Sequence, residues 1–111
     1  MLAHLLALGL VLGGSPASPR IKESKPGLLA KAKVKPDAAR RIALDRAKGA
    51  KVKSAEIEIE HGKLIYSFDL EVPGQTGIQE VGVDAATGEV VEDERESAEE
   101  ERDEAEKEKA K

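Results

Sequence analysis

The chain has 111 residues, of which 36% are charged and only 2% are aromatic, and it contains no cysteine. This length allows one small domain, and the shortage of aromatic side chains excludes a large core. The absence of cysteine excludes disulfides, thiol nucleophiles and thiolate metal sites.

The net charge of −4 conceals two blocks of opposite sign. Residues 20–53 carry 12 Lys and Arg against 3 Asp and Glu, whereas residues 54–111 carry 6 against 19. A basic block can attract nucleic acid or anionic lipid. Here the two blocks can compensate each other, so we expect no nucleic acid partner.

Residues 1–17 have the pattern of a secretory signal peptide. Leu2 to Leu12 is an apolar run interrupted only by His4, shorter than the ~20 residues of a membrane span and typical of a signal. The small residues Ser15 and Ala17 fit a cleavage site, so we expect cleavage after Ala17. An uncleaved anchor or a buried helix is the alternative. Cleavage would leave a periplasmic or extracellular protein without a stable membrane span.

Residues 18–33 are rich in Ser, Pro, Gly and Lys, which predicts a basic linker or an arm that orders only on a partner. Within it, Leu28, Leu29 and Ala32 are spaced for a single helical turn.

The segment from Pro36 to Lys48 is predicted to be a helix. Pro36 suits the first helical position and Asp37 suits the positive end of the helix dipole. Gly49 is the expected C-cap. Arg46 lies near the apolar stripe, so its stem is expected to cover apolar surface while its head reaches water. The stripe has the i, i+3, i+4, i+8 spacing of a helix that packs on one side and consists of Ala39, Ile42, Ala43 and Ala47.

Two strands, from about Val52 to Glu60 and from Lys63 to Val72, show clean alternation of apolar and polar residues. His61 and Gly62 form a two-residue connection suited to a primed turn. This turn would place Ile57 opposite Tyr66, and every apolar residue of the first strand would then meet an apolar residue of the second. The sequence therefore predicts a β-hairpin in this register.

A second hairpin is predicted around the segment from Glu80 to Val91. We expect Leu70 opposite Val81, Phe68 opposite Val83, and Val83 opposite Val90. The result is an α+β fold, in which one N-terminal helix packs on a four-stranded antiparallel β-meander. Residues 93–111 are an acidic tail of Glu, Lys, Arg and Ala, predicted as a solvated charged C-terminal helix or a disordered tail.

The Ala-rich helix, the strand pair containing Ile57, Tyr66 and Phe68, and the Asp84-Ala-Ala-Thr-Gly88 turn occur in the order found in the PepSY domain. The chain resembles this family over residues 34–92. The resemblance implies an α+β fold and a non-enzymatic role in restraining proteases of secreted or envelope systems. No protease domain follows in this sequence, so inhibition is expected in trans, on an envelope or extracellular protein. The resemblance supplies no contact residues.

No constellation of catalytic residues is present, because His61 is the only histidine after the predicted signal and the chain lacks cysteine. We therefore expect no enzyme, no metal site and no cofactor. His61 could ligate a metal, but a turn position beside Gly62 favours a structural role. Asp84 could bind Ca²⁺, yet such a site needs six or more oxygens. Hydrogen bonds within its own turn are the simpler interpretation, with Gly88 in a left-handed conformation.

The outer side of the hairpin is the candidate binding surface. It carries five acidic side chains, from Glu56, Glu58, Glu60, Asp69 and Glu71. The simplest interpretation is a solvated face, and the functional one is a docking surface for a basic partner. Two functions follow: a secreted interaction module that regulates a protease, and, as the alternative, an acidic envelope protein that handles cations or metals.

Overall fold

A computed structural model describes residues 19–96 as a mixed five-stranded sheet with two short helices on one face. The elements are β1 Ile21–Glu23, α1 Leu28–Lys31, α2 Pro36–Leu44, β2 Lys51–Glu60, β3 Lys63–Glu71, β4 Ile78–Asp84 and β5 Val90–Glu96. The strands lie side by side in chain order. The predicted signal peptide and residues 97–111 of the predicted tail lie outside the described residues. Neither described helix is long and apolar enough to cross a membrane.

The hairpin of β2 and β3 has the register predicted from its two-residue turn. Ile57 lies opposite Tyr66, Ala55 opposite Phe68, and Ile59 opposite Leu64. A two-residue turn fixes the pairing of the two strands, and a shift by one residue would move the apolar side chains to the solvent face. A bulge at Lys53, between the pairs made by Val52 and Ser54, is the one irregularity of this ladder.

The predicted register between β3 and β4 is wrong by two residues. Phe68 lies opposite Val81 and Tyr66 opposite Val83, whereas Leu70 faces Gln79. A shift of two leaves every side chain on the face that alternation assigns to it, so the apolar pattern cannot detect it. The connection decides the register instead. It spans residues 72–77, in which Gly74 and Gly77 have positive φ and the Gln75 amide bonds the Val72 carbonyl at 3.1 Å.

The four-stranded antiparallel meander is also wrong, because part of the predicted linker forms a fifth strand. β1 pairs parallel to β2, with Ile21 beside Ala55, and the Ser24 amide continues the ladder to the Ile57 carbonyl at 3.0 Å. A three-residue strand with one apolar residue has no periodicity to recognise. The free edge of β2 provides the hydrogen-bonding partners that order it.

Side chains hold the segment around β1 against the helices. Arg40 donates a hydrogen bond to the Pro19 carbonyl at 2.8 Å, and Glu23 accepts one from the Leu29 amide at 2.8 Å. The predicted helical turn is present as α1, whose Leu28 is buried in the core. Residues 19–33 are therefore part of the domain.

Helix α2 is shorter than predicted, since it ends at Leu44 instead of Lys48. The chain continues in tight turns in which the Arg46 amide bonds Ala43 and the Ala47 amide bonds Leu44. These turns bring the chain back to the start of β2, and Ala47 still packs in the core. Gly49 has a φ of 76° within this connection and does not cap the helix.

Strand β5 runs four residues beyond Glu92, into the segment predicted as tail. Val90 pairs with Val83 as expected, and a bulge at Val91 then brings Glu92 opposite Gly82. The helix side of β5 carries Asp93, which accepts hydrogen bonds from Arg46 Nε and from Gln79 Nε2, both at 2.8 Å. Residues 93–96 are therefore part of β5. The Arg46 guanidinium, which was predicted to reach water, forms an ion pair with Asp93 of this strand.

The core lies between the helices and the inner face of the sheet. Tyr66 and Phe68 are fully buried at its centre, with ring centroids 6.0 Å apart. Small side chains of α2, Ala39 and Ala43, are also fully buried, which lets the helix approach the sheet closely. The other large side chains with no exposed surface are Ile57, Leu70, Val81 and Val83.

The Tyr66 hydroxyl connects the sheet to the segment that leads into α2. It donates a hydrogen bond of 2.6 Å to the Val34 carbonyl, and burial raises the pKa of Tyr66, so the phenol stays protonated as a donor. We predict that Tyr66→Phe lowers the free energy of unfolding by about 1–2 kcal/mol, because a part-buried carbonyl loses its donor. Urea unfolding followed by circular dichroism measures this change.

Ser67→Ala is the matched control for that experiment. The Ser67 hydroxyl bonds Glu58 on the opposite, more exposed side of the sheet at 2.8 Å. Its loss should cost less, within roughly 0.5 kcal/mol of wild type. Equal effects of the two substitutions would contradict a structural role for the Tyr66 hydroxyl.

Candidate functional site: the outer face of the sheet

The side of the sheet that faces away from the helices is acidic across β2 to β5. Alternation and cross-strand register place alternate residues there. One row across the strands is Ser54, Asp69, Glu80 and Glu94. We call this surface the outer acidic face, and its carboxylates belong to Glu56, Glu58, Glu60, Asp69, Glu71, Glu80, Glu92, Glu94 and Glu96.

The five acidic residues singled out in the sequence all lie on this face, on β2 and β3. The structure adds Glu80 from β4 and three glutamates from β5. Glu80 alternates with Val81 and Val83, so its side could have been read from the sequence. The β5 glutamates could not, because their inward-facing neighbours are Asp93 and Arg95 and no apolar alternation marks the strand.

Two hydroxyl groups fix carboxylates on this face. Ser67 Oγ donates to Glu58 at 2.8 Å, and Ser54 Oγ donates to Asp69 at 3.1 Å. Basic side chains stand at its margins: Lys22 on β1 pairs with Glu56 in register, and Lys53 lines a depression with Glu80 and Glu94. The centre of the face is therefore strongly negative.

The crowding of carboxylates shows in their proton affinities. The pKa of Glu80 is raised to about 7, first by burial and then by the charges of Glu92, Asp69, Glu96 and Glu58, in that order. Desolvation and neighbouring like charges both disfavour the ionised form. A cationic group placed over Glu80 would relieve this repulsion.

Glu92 lies beside Glu80 on the neighbouring strand and shows the same effect. Burial is the main cause of its raised pKa, followed by the charges of Glu94, Glu60 and Glu58. The outer acidic face therefore has two neighbouring carboxylates whose charge is disfavoured in the free protein. Such a surface suits the binding of a basic partner.

The face is not arranged as a metal site. No group of three or more His, Cys, Asp or Glu side chains among residues 19–96 is placed to hold a metal ion. Strand geometry explains this, because neighbouring carboxylates on a flat face stand side by side instead of converging on one point.

The turn residues predicted at the two hairpins occupy tight turns. His61 and Gly62 have φ of 51° and 77°, the positive values that a primed two-residue turn requires. Asp84 is 7% exposed, and its Oδ1 accepts hydrogen bonds from the amides of Ala86 at 2.7 Å and Thr87 at 3.2 Å.

This second turn also anchors the segment before α2. The Ala85 carbonyl accepts hydrogen bonds from the amides of Lys33 and Val34 at 2.9 and 2.8 Å. Gly88 has a φ of 84°, and an added Cβ there would lie 3.4 Å from Ile42 Cδ1. The carboxylate and the glycine therefore act within the fold.

Residues 33–94 match the PepSY model, described as the peptidase propeptide and YPEB domain. The match covers more than half of the 111 residues and includes α2 and strands β2 to β4. No curated protein and no solved structure matches the chain.

Proposed function

The chain belongs to the PepSY family, and we propose that it is a non-catalytic module that binds and restrains a peptidase of the cell envelope. The observation that carries this proposal is the match of residues 33–94 to a domain of peptidase propeptides. The family suggests a regulatory, protein-binding role. The finer elements, namely secretion through residues 1–17, action in trans and inhibition, are our proposal.

The outer acidic face is the surface that we propose for docking. Ser54 and Ser67 donate hydrogen bonds to Asp69 and Glu58 on this face, and the charges of four neighbouring carboxylates act on Glu80. The opposite face of the sheet is covered by α1 and α2 and forms the core. A partner with a basic surface would gain from electrostatic steering and would relieve the repulsion around Glu80.

The alternative, an acidic protein that handles metal ions, has less support. The described residues offer no group of side chains arranged around a metal ion, and carboxylates spaced along a flat sheet bind divalent cations weakly. We therefore retain the interaction module as the proposed function.

A peptidase inhibition assay tests the proposal. The purified full chain is titrated against secreted metallopeptidases encoded in the same genome, with a fluorogenic peptide as substrate. We expect saturable inhibition of at least one enzyme, weakened by salt because exposed charges are screened over ~10 Å at ~0.1 M. The absence of both inhibition and binding across these enzymes would contradict the proposal.

Matched charge-reversal variants locate the surface. The first carries Glu56→Lys, Glu58→Lys and Glu60→Lys on the outer acidic face. The control carries Lys31→Glu, Lys33→Glu and Lys35→Glu, all exposed on the helix side. We expect the first variant to lose inhibition by roughly tenfold or more and the control to retain it. Equal losses would contradict docking through the sheet.

A further inference from the structure

The outer acidic face has an apolar interruption at the end near the β2–β3 turn. A hollow of about 460 Å³ opens there between β2, β3 and β5. It is lined by Ile65 and Val91 together with polar and charged residues of its rim. Ile65 is 3% exposed but lies outside the main core, whereas Val91 is 43% exposed. This end of the charged face therefore carries apolar side chains that the core does not use.

Gly82 lies next to the hollow, between Ile65 and Val91. Its φ is not positive, so the backbone does not require glycine there. Its neighbours leave little room for a side chain, since an added Cβ would lie 3.2 Å from Glu92 Cβ, 3.4 Å from Ile65 Cγ2 and 3.5 Å from Val91 Cγ2. The missing side chain leaves a low point in the face at the place where the two apolar residues meet.

The bulge in β5 supplies the exposed apolar wall of the hollow. Val90 pairs with Val83 and packs toward the core, and Glu92 pairs with Gly82. Val91 is the extra residue between these two pairs. It lines the hollow in which Ile65 also lies. Bulges commonly redirect a side chain in this way.

The rim gives the hollow its charge. Glu60 and Glu92 line it, and Glu58 is close enough to Glu92 to contribute to the raised pKa of that carboxyl. Lys63 and His61 also line the hollow, beside the turn, where Lys63 pairs with Glu60 across the hairpin. A ligand would therefore meet apolar surface in the centre, the Glu92 carboxylate on the β5 side, and Glu60 together with Lys63 at the turn.

We propose that this hollow is the anchor point for an apolar side chain flanked by lysine or arginine in a segment of a partner protein. Small apolar pockets surrounded by polar groups are where interfaces concentrate their binding energy. The proposal rests on the proposed function, whose partner it characterises: a segment in which a leucine-sized or aromatic residue stands next to basic residues.

Charge argues against the other occupants of such a surface. A second copy bound through the same face would bring two sets of carboxylates together, which disfavours a symmetric dimer. An anionic lipid surface and a nucleic acid backbone carry the same sign as the face. A cationic, partly apolar protein segment complements both the floor and the rim.

The test uses two short synthetic peptides of equal charge. One alternates lysine with leucine, and the other has serine in place of leucine. The full chain, labelled with ¹⁵N, is titrated with each peptide and followed by NMR. We expect the leucine peptide to bind roughly tenfold tighter, because it buries apolar surface in the hollow, with the largest shifts at Ile65, Gly82 and Val91. Equal affinity for the two peptides, or no binding, would overturn the proposal.

Val91→Thr and Ile59→Thr form a matched pair of variants. Both replace an exposed β-branched residue, but Ile59 is 51% exposed and lies on the opposite side of the sheet. We expect Val91→Thr to weaken the leucine peptide by roughly fivefold and to leave the serine peptide unchanged, whereas Ile59→Thr changes neither. Unchanged leucine binding by Val91→Thr, with circular dichroism showing a native fold, would also overturn the proposal.

The peptidase assay separates this inference from the proposed function. If the leucine peptide binds the hollow but no peptidase is inhibited, the proposed function fails and the anchor site stands. If a peptidase is inhibited equally by wild type and Val91→Thr, the function stands and the anchor site fails.

Discussion

Replacing Phe68 with alanine is expected to remove most of the stability of this domain. Phe68 has no exposed surface and stacks beside Tyr66 at the centre of the core. Phenylalanine-to-alanine substitutions in cores cost about 3–5 kcal/mol, through lost burial and the cavity left behind. Small domains have about 5–15 kcal/mol in total, and the described core contains only two aromatic rings. Urea unfolding followed by circular dichroism measures the loss.

Ile59→Ala is the control on the same hairpin. Ile59 is 51% exposed, so its truncation should lower the free energy of unfolding by less than about 1 kcal/mol. If Phe68→Ala lowered the free energy of unfolding less than Ile59→Ala does, the placement of Phe68 at the centre of the core would be contradicted.

The second prediction is that stability falls as the pH rises through neutrality, because of Glu80. The pKa of Glu80 is raised from 4.5 to about 7 in the folded chain, so the folded state holds this proton more tightly than the unfolded state does. Its stabilising contribution is complete below pH 4.5 and is lost as the pH rises to about 7. The carboxyl is only partly buried, so after allowance for screening the loss is about 1 kcal/mol.

Glu80→Gln isolates this effect, because the amide keeps the shape of the side chain and carries no charge. The variant should match wild type near pH 4.5 and exceed its free energy of unfolding by about 1 kcal/mol above pH 7, a difference of ~4–8 °C in melting temperature. Urea unfolding across this pH range measures both curves.

Glu71→Gln serves as the comparison, since Glu71 lies on the same face but is exposed and opposite Lys51. It should give a much flatter difference curve. A Glu80→Gln curve that runs parallel to wild type would exclude the repulsion that we place at the centre of the outer acidic face.

The protonation of Glu80 also bears on docking. A basic partner stabilises the ionised carboxylate of Glu80. Binding to the outer acidic face should therefore become tighter as the pH rises above 7, because Glu80 then no longer has to release a proton. Stability and binding would then respond to pH in opposite directions. This opposition follows from a face whose charges repel one another in the free chain and are compensated in the complex.

The acidic face shows how far the sequence could predict the site. Glu56, Glu58 and Glu60 alternate with buried residues in a hairpin of known register, so their shared face follows from the pleat alone. Glu92 and Glu94 join them only because β4 offers an unpaired edge to a charged segment, and because Arg46 binds Asp93 on the other side of that strand. The hollow beside Gly82 depends on the bulge at Val91, and this bulge has no clear signature in the sequence.

What the sequence by itself determined is the hairpin of β2 and β3, the start of α2 and the family. The hairpin and the helix start follow from local rules, namely period-two alternation, a two-residue turn and Pro36 at the first helical position, whereas the family follows from the resemblance of the ordered motifs to the PepSY domain. The tertiary structure alone decided the β3–β4 register, because a shift of two residues keeps every side chain on its face. It also decided strand β1 and the extension of β5 over residues 93–96, whose polar residues become strand because the edges beside them have backbone groups to pair.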